Sequence, residues 1–128
     1  MLPLRHDVLS TRLLTILPGT DPDEIRCRLK VVPIGATTGY KALSYTWGDA
    51  NVTESLVVNN IEIKVTTNLN RALGALRLPT KKLTIWADAV CINQSDLNER
   101  ATQVREMGQI FGNADQVMVW LGDGNINT

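Results

Sequence analysis

The chain has 128 residues, enough for one domain with a hydrophobic core that buries roughly two thirds of the unfolded surface. Apolar residues make up 44% and charged residues 20%, a globular composition that excludes a disordered or low-complexity chain. Thirteen basic residues balance thirteen acidic ones, so no net field draws the chain to nucleic acid or anionic lipid.

Cys27 and Cys91 form no CxxC pair and the single histidine is His6, too few ligands for a four-coordinate zinc site. Arg5, His6 and Asp7 interrupt any apolar run at the start, and residues 13–17 are too short for a signal-peptide core. No segment approaches the ~20 apolar residues of a membrane span. An intracellular, cytoplasmic chain with reduced thiols is the expectation.

In chain order, residues 1–10 read as a lead-in and residues 11–17 as a β-prone run stopped by Pro18 and Gly19. Residues 25–32 alternate, with Ile25, Cys27, Leu29 and Val31 on one side and Arg26, Arg28 and Lys30 on the other, the pattern of a half-buried strand. Residues 40–47 form a short apolar strand ended by Gly48 and Asp49. Residues 55–65 read as a β-hairpin around Asn59 and Asn60, residues that tolerate positive φ. Apolar residues at 69, 72, 73 and 76 then mark a helix, with Thr67 or Asn68 as its cap and Pro79 closing it. Residues 82–87 read as a buried strand. Asp96 and Glu99 open the clearest helix, to about residue 112, in the style of a capping box. Residues 116–121 follow as another apolar strand. The last three elements suggest a βαβ unit with parallel strands.

Two strand ends carry the residues suited to chemistry. Ser44, Tyr45, Trp47, Gly48 and Asp49 follow one; Asp88, Cys91, Asn93 and Gln94 follow the other. If the two strands are parallel neighbours, both loops open on one rim, beside the N–H groups of the helix starting near Asp96. Each residue also has a plainer reading. Asp88 at a strand end caps a turn as readily as it binds a ligand. Trp86 and Trp120 belong to the core, and Trp47 suits packing or a binding surface equally. Cys91 is a nucleophile only if something activates it, and no histidine lies near it in sequence. Glu99 is the reciprocal half of a capping box or a catalytic acid. Arg100 and Arg105 are helix charges. Ser44 lacks the GxSxG elbow, and no phosphate loop is present.

Three blocks, with their spacing kept, resemble the heterokaryon-incompatibility (HET) domain of filamentous fungi. They are Tyr40, Ala42, Leu43, Ser44, Tyr45, Trp47 and Gly48; then Ile85, Trp86, Asp88, Ala89, Cys91, Ile92, Asn93 and Gln94; then Glu99, Arg100, Gln103, Val104, Met107, Ile110, Ala114, Val117, Trp120, Leu121 and Gly122. The resemblance spans about residues 11–122. Ala87 and Phe111 depart from it, where a larger aliphatic residue and a tyrosine are usual.

The resemblance implies a single HET domain over residues 1–128, the N-terminal core portion of a domain truncated at its C-terminal end. It implies an α/β fold with a mostly parallel central sheet and flanking helices, similar to Toll/interleukin-receptor (TIR) and flavodoxin-like domains. An N-terminal antiparallel strand pair and a β-hairpin insertion would be added to that sheet. It implies a role in fungal self/non-self recognition and programmed cell death, exerted through self-association or protein partners; no cofactor is expected, and the composition already argues against a metal, nucleic acid or membrane span. The alternative is a TIR-like enzyme that cleaves NAD as substrate. Glu99 or Asp88 would then stabilise positive charge on the ribose, and Ser44, Tyr45, Trp47, Gly48, Asp49, Cys91, Asn93, Gln94 and Arg100 would form the rim.

Overall fold

The computed structural model describes residues 2–5, 9–45, 48–120 and 126–127. In chain order the elements are β1 (Ser10–Ile16), β2 (Arg26–Pro33), β3 (Lys41–Tyr45), β4 (Thr53–Val58), β5 (Ile61–Thr66), α1 (Thr67–Leu76), β6 (Leu83–Trp86), α2 (Asp88–Cys91), α3 (Leu97–Gly112), β7 (Gln116–Trp120) and the two-residue β8 (Ile126–Asn127). All the strands join one sheet, ordered β5-β4-β2-β1-β6-β3-β7-β8.

Local chemistry accounts for most of these elements. β1 and β2 pair antiparallel along their whole length, with Leu14 opposite Leu29 and Ile16 opposite Cys27, so the alternation of β2 meets an apolar partner face. The β4–β5 hairpin turns through Asn59 and Asn60, whose φ values of 51° and 66° are those of a type I′ turn. The Asn59 side chain also accepts from the Leu29 amide at 2.9 Å, tying the turn to β2. Helix α1 is capped by Thr66, whose hydroxyl accepts from the Leu69 amide, one residue before the expected cap. It buries Leu69, Ala72, Leu73 and Leu76. Asp96 caps α3, accepting from the Glu99 amide at 3.1 Å.

The expected mostly parallel, TIR- or flavodoxin-like sheet is not what the chain forms. Antiparallel junctions join β1–β2, β1–β6, β4–β5 and β7–β8; only β2–β4, β3–β6 and β3–β7 are parallel. The sheet is mixed, and its helices are few. The reason lies in β1, which occupies the middle of the sheet and runs opposite to both neighbours. Parallel pairing between consecutive strands needs a crossover of a dozen or more residues. Here only the β6–α3–β7 passage has a long crossover helix, and it steps over β3, which lies between those strands and parallel to both. The expected βαβ unit therefore exists, but its strands are not neighbours. The hairpin is no insertion either: β4 continues the sheet from β2, and β5 is its edge.

The core joins Leu14, Ile16, Ile85, Trp86, Leu69 and Leu73, all buried. Trp86 meets Phe111 of α3 edge-to-face, ring centres 5.6 Å apart, so α3 covers the sheet face on which Trp86 lies. The Tyr40 hydroxyl donates to the Ile110 carbonyl, pinning the start of β3 to the end of α3.

Candidate functional site

The two loops expected to share a rim do leave the same end of the sheet. β3 and β6 are parallel neighbours, with Ala42 opposite Trp86, so Tyr45, the last residue of β3, and Asp88, two residues past β6, lie at the same end of the sheet. Trp47 lies outside the described residues. Tyr45 has a buried hydroxyl without a hydrogen-bond partner among the described residues. Burial first, then the nearby Asp88 and Cys91, push its pKa above the ordinary tyrosine range.

The other rim residues divide by environment. Ser44 and Arg100 are exposed. Asp49 accepts from the Asn51 amide at 2.9 Å and its carbonyl accepts from Val52, a turn stabilised by its own side chain. Gly48 has φ +74°, and a Cβ there would stand 2.7 Å from the Asn68 side chain, so the turn after β3 lies against α1. Asp88 starts α2, and its carbonyl accepts from the Gln94 side chain at 2.8 Å, closing the loop between α2 and α3. Cys91 is fully buried, its sulfur 3.5 Å from the Ala87 amide. Burial pushes its pKa up to about 12, so at neutral pH it is a thiol, not a thiolate nucleophile.

Glu99 is not the reciprocal half of a capping box. It does not bond back to the Asp96 amide, which donates instead to the Asn93 carbonyl. Both its oxygens accept from Arg12, at 2.8 and 2.9 Å, in a bidentate pair, and Oε2 also accepts from the Asn93 amide at 2.5 Å. Burial alone would raise its pKa; the Arg12 and Asn93 hydrogen bonds and the Arg12 charge outweigh that and hold it below the ordinary carboxylate range.

Arg12 was missed in the sequence. Its side chain is 1% exposed, its Nη1 also donates to the Cys91 carbonyl, and its Nε donates to the Leu2 carbonyl. A signal was there: an arginine two residues before Leu14 and four before Ile16 shares their strand face, and a buried arginine demands a carboxylate. A second buried network also went unread. The Trp86 indole donates to Thr11, the Thr11 hydroxyl donates to Gln103 Oε1 at 2.6 Å, and the Gln103 amide donates to the Ser10 carbonyl. Together these bonds lock α3 to β1.

Two cavities flank this centre. A polar one of about 480 Å³ is lined by Arg12, Asn93, Asp96, Glu99, Thr102 and Gln103, among others. An apolar groove of about 670 Å³ is lined mainly by Leu29, Val58, Ile61, Ile63, Val65 and Val90. Glu99 belongs to the first; Asp88 and Tyr45 line neither. Among the described residues no group of three or more His, Cys, Asp or Glu side chains is placed to hold a metal, and no helix is long and apolar enough to cross a membrane.

The three sequence blocks thus fall on three adjoining strands and the helices behind them: β3, then β6 with α2, then α3 with β7. Residues 40–128 match the heterokaryon incompatibility protein (HET) family. The chain belongs to that family. It is 37% identical over 125 residues to heterokaryon incompatibility protein 6, OR allele, of Neurospora crassa, an alignment covering 87% of this chain and 18% of that protein. The chain therefore spans less than a fifth of that relative's length. No solved structure matches it.

Proposed function

We propose that this chain is the folded core of a fungal incompatibility protein, acting in the cytoplasm and passing a self/non-self signal to programmed cell death through self-association. The observation that carries the reading is the family match over residues 40–128, together with the likeness to a heterokaryon incompatibility protein over most of the chain. The state of Glu99 favours association over catalysis. Its two oxygens are engaged by Arg12 and Asn93, whereas a carboxylate that stabilises a developing cation must turn toward the substrate. The thiol of Cys91 is protonated and buried, so nucleophilic catalysis there has no activated group to use.

The test is induced expression of the chain in hyphae, scored for growth arrest and for death of compartments. The expected outcome is arrest that steepens with expression level, as an associating signal requires. Normal growth at high levels of folded protein would refute the reading. A folded sample that releases nicotinamide from NAD, and loses that activity in Asp88→Asn, would move the chain to the enzymes.

A further inference from the structure

We infer that the outer edge of β5 is a self-association surface, which pairs antiparallel with β5 of a second copy about a two-fold axis at Ile63. This deepens the self-association reading and rests on it.

The first argument is backbone geometry. β5 is the terminal strand of the sheet, and Ile61, Glu62 and Lys64 are exposed along it. A two-residue turn makes Val58 and Ile61 the first hydrogen-bonded pair of the hairpin, and the pairs then alternate. Ile61, Ile63 and Val65 therefore direct their N–H and C=O groups to β4, while Glu62 and Lys64 direct theirs outward. An antiparallel partner centred on Ile63 sets Glu62 against Lys64 of the second copy and Lys64 against its Glu62. These are hydrogen-bonded pairs on both strands, so every outward group between them finds a partner.

The second argument is side-chain chemistry. Glu62 and Lys64 lie on one face of β5, with side chains 64% and 65% exposed. In the antiparallel register each acid opposes a base, whereas a parallel register would oppose acid to acid and base to base. On the other face Ile61 opposes Val65 and Ile63 opposes itself. These three residues line the apolar groove, so pairing joins that groove to its copy in one apolar stripe. Ile61 is 64% exposed in the single chain. Charges on edge strands ordinarily prevent such pairing, and they do so when they repel. Here the alternation of sign two residues apart makes the edge complementary to itself.

Sedimentation velocity over a concentration series tests the inference on the intact chain. The unmodified chain is expected to form a dimer. Glu62→Lys gives an all-basic edge and Lys64→Glu an all-acidic one, and each should weaken self-association by roughly tenfold or more. Mixing these two variants should restore a one-to-one dimer, since each edge then meets its complement. Ile63→Cys, at a non-hydrogen-bonded pair on the axis, should form a covalent dimer under oxidation, because both native thiols are buried. A dimer unaffected by either charge variant, with no cross-link in Ile63→Cys, would overturn this surface and leave self-association standing. A monomer at all concentrations would overturn both.

Discussion

Arg12 offers five N–H donors, and four of its bonds have named acceptors: the Leu2 carbonyl, the Cys91 carbonyl and the two Glu99 oxygens. One side chain thus fastens the N-terminal segment, the end of α2 and the first turn of α3 to β1. Removing one partner leaves the other charge buried and unpaired. Glu99→Gln should therefore lower unfolding free energy by about 3–5 kcal/mol in urea titration. Replacing both residues, Arg12→Met with Glu99→Leu, should cost clearly less than the two single changes summed. A sum of equal size would mean that the pair is not coupled. The depressed pKa of Glu99 fixes the sign of the acid response. The unfolded carboxyl takes up a proton near 4.5 and the folded one only below that, so stability from the pair is complete above 4.5 and is lost as pH falls through the folded value. The stability gap between the parent and Glu99→Gln should thus shrink as pH falls below 4.5. A constant gap would contradict the assignment. The thiols give a third check. With Cys27 and Cys91 both pushed up to about 12 by burial, neither should react with a disulfide reagent in the native chain at mildly alkaline pH, and both should react in denaturant.

At the scale of elements, the hairpin turn separates two asparagines that look alike in sequence. Both have positive φ, but only Asn59 bonds to β2 through its side chain. Asn59→Gly should cost about 1 kcal/mol through the lost bond, whereas Asn60→Gly should stay within about 0.5 kcal/mol. Equal effects on thermal stability would contradict this division. The hairpin, the β1–β2 pair, the Asp96 cap and the α1 stripe were all legible in the sequence, because each rests on contacts within about twenty residues or on one side chain bonding its own backbone. The site was legible in part. The polar loops after two apolar strands were visible as candidate rim residues, but that Tyr45 and Asp88 share one end of the sheet depended on the strands being parallel neighbours, which only the register supplies. That Glu99 bonds to Arg12 was not legible, because the partners are eighty-seven positions apart and the local capping pattern offers the same glutamate a nearer use.

The arrangement of the whole sheet was the part the sequence did not disclose. Alternation of apolar and polar residues is the same for parallel and antiparallel strands, so nothing local says that β1 would enter the middle of the sheet against the direction of β6. Nor does spacing reveal that β3 lies between β6 and β7. That insertion is what gathers the three family blocks into one region, with Tyr45 ending β3, Asp88 opening α2 and Glu99, the partner of Arg12, in the first turn of α3. The sheet also leaves β5 at one edge with Glu62 and Lys64 alternating in sign along it, the surface on which the proposed self-association rests. Its most direct test is made in hyphae expressing Glu62→Lys alone, Lys64→Glu alone, or both chains together, scored for cell death. Each variant alone should be harmless, and the two together should kill as the parent does. Death caused by either variant alone at the parent's level would contradict that self-association.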